Sequence, residues 1–291
     1  MTAPASQTTV TLETLRQTLT DFSAKIDEIR QQPDKVDEAF KAVAIAMSAG
    51  EGGLLGPVFA VAGGVYGWIT EDDLSGYCSE NKEKIKKGIE KLLEELADAI
   101  EALQAPIAFL QTSDDWRVLG TKVSDAQNDE FARGDLTGFW YGEAFSAYMN
   151  SRGLQDAAYS SAVTACGQVA DGMSAIAKAA WDFYTEVVKE LTEFITSFVS
   201  AVGKIAAVVS VMEGVADCID LLKIMTDSAV SLFKTFTTTL MTQFDVLSKI
   251  TAAMNNPKGM ANNKWPGSSS TTFNTDKPTQ TDWRATERPA S

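Results

Sequence analysis

"SENKEKIKKGIEKLLEELADAIEALQAPIAFL", residues 79–110, decides the fold. Ile85, Ile89, Leu92, Leu96, Ala99 and Leu103 follow one another at alternating four- and three-residue steps, and Leu93 and Ile100 widen the stripe. That is the period of a helix with one buried face. Glu83–Lys87, Lys86–Glu90 and Lys91–Glu95 stand four apart on the wet side, as i,i+4 pairs of opposite charge. Pro106 predicts a kink or an end. A long helix with one apolar face must bury it against other elements, and no strand-like alternation persists anywhere to supply a sheet.

The helical period continues on both sides. Upstream it runs through Leu12, Leu15, Leu19, Phe22, Ile26 and Ile29, with Thr11 placed to cap and Glu13 in the first turn. Pro33 marks an end or a break, and "DKVDEAFKAVAIAM" (34–47) gives a second helical piece. Downstream, a short helix is expected from about Trp116 to Phe131, followed by turn residues. No proline occurs between Pro106 and Pro257, and residues 143 to about 253 read as helix nearly throughout. Gly153, Gly167, Gly172, Gly203 and Gly214 are its expected bends or close-packing points.

Within that span Tyr159, Ala162, Cys166, Val169, Met173, Ile176, Ala180, Phe183 and Val187 form a regular, coiled-coil-like seam. Its small members admit another helix closely. It is expected to pack on the 85–103 stripe or on a partner, with Cys166 as a core thiol and Met173 as core filler. From Phe194 to Leu247 the chain is apolar on most sides: buried, paired, or able to enter a membrane. From Asn255 the composition turns to Asn, Gly, Ser, Thr and Pro, which predicts a disordered polar tail over 255–291. Trp265 and Trp283 are candidate docking anchors within it. The expected fold is all-α, an elongated bundle of long antiparallel helices. Its expected divisions are 1–79, 80–254 and 255–291.

Composition narrows the function. The 291 residues are 45% hydrophobic and carry a net charge of −14. Such length and content bury a core, and such charge repels nucleic acid and anionic headgroups. There is no histidine, which removes Ser-His-Asp, Cys-His and His-metal chemistry. No paired-carboxylate motif and no Gly-rich phosphate loop stand out, so neither a metal, a cofactor nor an enzyme is expected. Cys78, Cys166 and Cys218 match no metal or redox spacing and leave room for one disulfide. "MTAPASQTTVTLETLRQ" lacks the basic start and apolar stretch of a cleaved signal. The expectation is a cytoplasmic protein or one exported by a route that reads no such signal.

Residues 52–70, "GGLLGPVFAVAGGVYGWIT", carry no charge. Leu54, Leu55, Val58, Phe59, Val61, Val65, Trp68 and Ile69 are the candidate membrane residues. Three readings stand: a buried, close-packed hairpin tip, a cryptic membrane-inserting hairpin, and a constitutive anchor. The anchor lacks the basic flank that would set its orientation.

"GDLTGFWYGEAFSAY" (134–148) joins a turn-rich approach to the long apolar run. Gly142 permits a reversal without a Cβ penalty, Glu143 suits the positive end of the next helix, and Trp140 can cover both helices. Trp140, Gly142, Ala144 and Tyr148 resemble the WXG-motif family of type VII (ESX) secretion substrates, in its longer actinobacterial form. The family pattern is W-x-G, then Ala, then an aromatic one and a half turns later. The likeness covers about residues 80–190. It implies a WXG-type helix-turn-helix in a bacterial protein, secreted or surface-associated without a cleaved signal. It also implies action through helix–helix association, with a protein partner or with itself. The chain departs from the family in being much longer. It also lacks the Tyr-x-x-x-Asp/Glu export signal, because the fourth positions after its tyrosines are Thr70, Asn81, Phe145, Arg152, Val163 and Val188. The other function expected from the residues is an α-helical pore-forming or membrane-active toxin using 52–70 and 194–247, opened as carboxylates neutralise at low pH.

Overall fold

The computed structural model describes residues 10–49, 71–208, 210–255 and 257–266. The fold of these residues is all-α. Helix α1 spans Leu12–Arg30. Thr11 caps it in a reciprocal pair, its hydroxyl accepting from the Thr14 amide at 3.1 Å while the Thr11 amide donates to the Thr14 hydroxyl at 3.0 Å. Helix α2, Gln32–Ala49, begins after one residue, with Pro33 in its first turn, where no amide donor is needed.

Helix α3 is Glu71–Glu95 and α4 is Ala97–Glu101. A 3-10 turn, Ala102–Gln104, separates α4 from α5, Ala105–Arg133. Pro106 therefore opens a helix just past the expected break. The helix predicted over Trp116–Phe131 is the final part of this 29-residue element.

Helix α6, Glu143–Ala206, runs for 64 residues, and α7, Val211–Met254, for 44. None of the five flagged glycines ends a helix. The chain reverses instead after Ala206, where Val208 takes a φ of 66°. Gly172 and Gly214 are close-packing points. A Cβ would lie 2.7 Å from Leu247 Cδ2 at the first and 2.7 Å from the Ala201 carbonyl oxygen at the second. Along α7, the hydroxyls of Thr235, Thr237, Thr238, Thr239 and Thr242 each donate to the carbonyl four residues earlier.

The chain divides into two compact units. The first draws on residues up to Asp115 and on Ala170–Leu247. Its α6 and α7 segments are antiparallel: Lys204 pairs with Glu213 and Asp217, Ser228 donates to Glu190, Phe183 stacks on Phe236, and Gly172 meets Leu247. Trp181 Nε1 donates to the Thr18 hydroxyl at 3.1 Å and Phe22 meets Tyr184 edge-on, so α1 lies along α6. Helix α2 packs on α3. There Asp37 accepts Lys86 at 2.8 Å and faces Lys82 at 3.4 Å. Lys86 thus reaches α2 rather than the predicted Glu90, and its hydrogen bond holds the Asp37 carboxyl below its ordinary pKa.

The core includes the predicted faces of α1 and α3. Leu15, Phe22, Ile26, Ile85, Ile89 and Leu92 are buried, as are Phe198 and Leu191 of α6. Each large aliphatic or aromatic side chain so enclosed contributes about 1.5–3 kcal/mol. Tyr184 donates to the Ala99 carbonyl at 2.7 Å, just ahead of the 3-10 turn. The second unit comprises Trp116–Val169 and residues from Ser248 onward. It holds the end of α5, the start of α6 and the reversal between them.

Candidate functional site at the Trp140 turn

Three glycines build the reversal, one through close packing and two through their backbone conformation. Helix α5 closes with the Gly134 amide donating to the Glu130 carbonyl at 2.7 Å. A Cβ at Gly134 would sit 2.8 Å from that carbonyl oxygen, so the position is too close-packed for a side chain. Gly138 and Gly142 have φ of 86° and 94°, the left-handed region that disfavours a Cβ. Between them the Phe139 and Trp140 amides both donate to the Leu136 carbonyl, at 3.0 and 3.2 Å. Asp135 accepts the Thr137 amide at 2.9 Å. The Thr137 hydroxyl and amide hold its carboxyl below the usual range. The Gly142 carbonyl accepts the Ser146 amide and starts α6.

Trp140 is half-buried, and its ring lies on the first turns of α6, 6.3 Å from Phe145 and 5.8 Å from Tyr148. Tyr148 donates its phenol hydrogen to the Gly134 carbonyl, which ties α6 to the end of α5. Ala144 is exposed. The structure thus brings Trp140, Gly142 and Tyr148 together in one turn. Phe139 and Tyr141, on either side of Trp140, are 88% and 71% exposed.

Arg152 is a working part that the sequence pattern does not single out. It is 7% exposed, donates to the Phe131 carbonyl at 2.6 Å and lies 3.3 Å from Glu130. Its guanidinium also covers the Phe131 ring at 5.1 Å. One signal was available: Arg152 follows Tyr148 by four residues, so both share the face of α6 that meets α5. Further along, Gln127 Nε2 donates to Asp156 and Ser160, and Gly120 touches Cys166. These pairings run antiparallel.

The seam has two fates. Ile176, Ala180, Phe183 and Val187 are buried in the first unit, and Met173 is half-buried. In the second unit Cys166 is buried, while Ala162, Val169 and Tyr159 are half-buried. Tyr159 faces Trp265 edge-on at 4.7 Å. The predicted disorder from Asn255 does not extend to residues 257–266, which form a strap on α6. The Ser161 hydroxyl donates to the Lys258 carbonyl at 2.9 Å. Gly259, at φ 87°, approaches so closely that a Cβ would be 2.5 Å from the Leu154 carbonyl oxygen. A polar, Gly- and Asn-rich composition hides this seat, because, the Trp265 ring apart, these contacts are made by its backbone. Trp283 lies outside the described residues.

Leu54, Leu55, Val58, Phe59, Val61, Val65, Trp68 and Ile69 also lie outside the described residues. Among the described residues, no helix is long and apolar enough to cross a membrane. In the other apolar stretch Phe194, Phe198, Ile205 and Val215 are core residues, so a membrane role for 194–247 requires the bundle to open. Cys78 is half-buried and Cys166 and Cys218 are buried, all three as free thiols. Burial, helped by the neighbouring Asp217 charge, pushes the Cys218 thiol up to about 12.

No protein family, curated protein or solved structure matches this chain.

Proposed function

We propose that this chain is a non-enzymatic helical protein of a type VII (ESX) export route, whose Trp140 turn is read by a protein partner. One observation carries the reading: Trp140 and Gly142 stand at the reversal between antiparallel helices, as the family resemblance requires. Phe139 and Tyr141 project from the same few residues into solvent. Aromatic side chains are enriched at protein–protein interfaces, and Trp and Tyr among the residues that dominate their binding energy. The missing Tyr-x-x-x-Asp/Glu signal fits export in company, with the partner supplying it.

The test is export from a type VII-competent actinobacterium, comparing supernatant with lysate. Wild type is expected outside. Trp140→Ala and Gly142→Ala are expected to stay in the lysate, as is Phe139→Ser, which removes an exposed ring without touching the turn's hydrogen bonds. Circular dichroism establishes that all variants fold. Wild type retained beside a co-expressed partner and a working system sinks the proposal. Dye release from liposomes between pH 4 and 7.5 would instead favour the membrane-active function.

A further inference from the structure

The second unit has little of what holds helices together. Among its described residues the buried apolar side chains are Ala158, Cys166 and Ile250, two of them small. Val118, Leu119, Phe131 and Leu154 are exposed, and along 116–169 no large apolar side chain is buried. Polar bonds join the end of α5 to the start of α6 instead: Tyr148 to the Gly134 carbonyl, Arg152 to the Phe131 carbonyl and Glu130, and Gln127 to Asp156 and Ser160. Such bonds are exchanged for bonds to water when helices part, so each leaves little net stability. Gly153 and Gly167 weaken α6 further. A Cβ at either would meet nothing within 4 Å, so neither serves a close approach, and each costs helix propensity.

We infer that this hairpin, the end of α5 with the start of α6, opens as a unit while the core of the first unit stays closed, and that the strap over 257–266 is the clasp that holds it shut. The strap crosses two turns of α6. Gly259 lies on the backbone of Leu154, Ala157 and Ala158, and Ala158 is fully buried. Lys258 accepts from Ser161, and Trp265 closes on Tyr159. Leu154 and Ala158 each stand two residues from Asp156, which is the opposite side of a helix turning about 100° per residue. Closed, α6 is therefore gripped by α5 on one face and by the strap on the other. With the strap away it keeps the polar bonds to α5, and a helix without a packed face draws little stability from propensity alone.

The opening carries the Trp140 turn with it, because Trp140 rests on Phe145 and Tyr148 of the same stretch. The clasp thus sets how often that turn loses its seat. The inference does not rest on the export reading, since opening is read without export.

Amide hydrogen exchange of the full chain, followed by mass spectrometry, tests it. Protection factors over 118–133 and 144–165 are expected to be at least about a hundredfold lower than over 176–205. Gly259→Ala and Trp265→Ala are each expected to lower them by about a further tenfold in those two stretches and to leave 176–205 unchanged. Equal protection in the hairpin and in 176–205 overturns separate opening. Variants that leave the hairpin at its wild-type protection, or that expose 176–205 to the same degree, show that the strap is not its clasp and overturn the proposal as well.

Discussion

Gly142 and Gly259 share a left-handed backbone but differ in surroundings. Nothing lies within 4 Å of a Cβ at Gly142, whereas one at Gly259 meets the Leu154 carbonyl and the Ala158 amide at 2.5 and 2.6 Å. Gly142→Ala should therefore cost only the conformational strain, about 1 kcal/mol. Its expected sign is a lower thermal midpoint with unchanged tryptic sites. Gly259→Ala should lift the strap from α6, because backbone cannot yield as a side chain does. Tryptic cleavage at Lys258 and Lys264 should then accelerate while far-ultraviolet dichroism holds. Unchanged cleavage would mean that the strap does not depend on that approach. Sequence pattern identifies Gly142, which sits between a turn and a helical period. It passes over Gly259, because a close backbone approach leaves no periodic trace, and over Arg152, whose one trace is its four-residue spacing from Tyr148.

At the scale of elements, spacing alone locates the buried faces of α1 and α3, the Thr11 cap and the break near Pro106. It does not separate a glycine that lets helices touch from one that merely lacks a side chain. Gly214 and Gly203 divide on that point. A Cβ at Gly214 would stand 2.7 Å from the Ala201 carbonyl and 2.9 Å from the Ile205 amide, but at Gly203 nothing comes within 4 Å. Gly214→Ala should destabilise by about 1–3 kcal/mol by prising α7 from α6. Gly203→Ala should stabilise by roughly 0.5–1 kcal/mol through helix propensity. Opposite shifts in the urea midpoint are the expected result, and shifts of one sign would contradict it. The reversal at Val208 is unreadable in advance because a β-branched residue is a poor candidate for positive φ.

For the molecule as a whole, helical period without strand alternation suffices for the all-α class. The partition of the seam is not legible, because a stripe says that a face is covered and not by what. Stability at high pH offers a whole-molecule test of the core. Burial pushes the Tyr184 phenol up to about 12 from 10.0 and the Cys218 thiol up to about 12 from 9.0. Both groups hold their protons more tightly when folded. Their contribution is therefore complete below about pH 9 and is lost as pH rises through the interval up to about 12. For Tyr184 this amounts to roughly 2–3 kcal/mol. Urea midpoints taken from pH 7 to 11 should fall steeply above pH 9, and less so in Tyr184→Phe. A flat profile would mean that these groups are not sequestered.

The threonines of α7 carry a chemical consequence. Transfer of a phosphoryl group to a hydroxyl needs that hydroxyl free and its backbone drawn out into an enzyme cleft. Five neighbouring threonines on α7 give their hydrogens to their own helix. A run that a kinase-substrate motif search would mark as rich in acceptors is, while the helix stands, chemically quiet. Its modification would report that α7 has unwound.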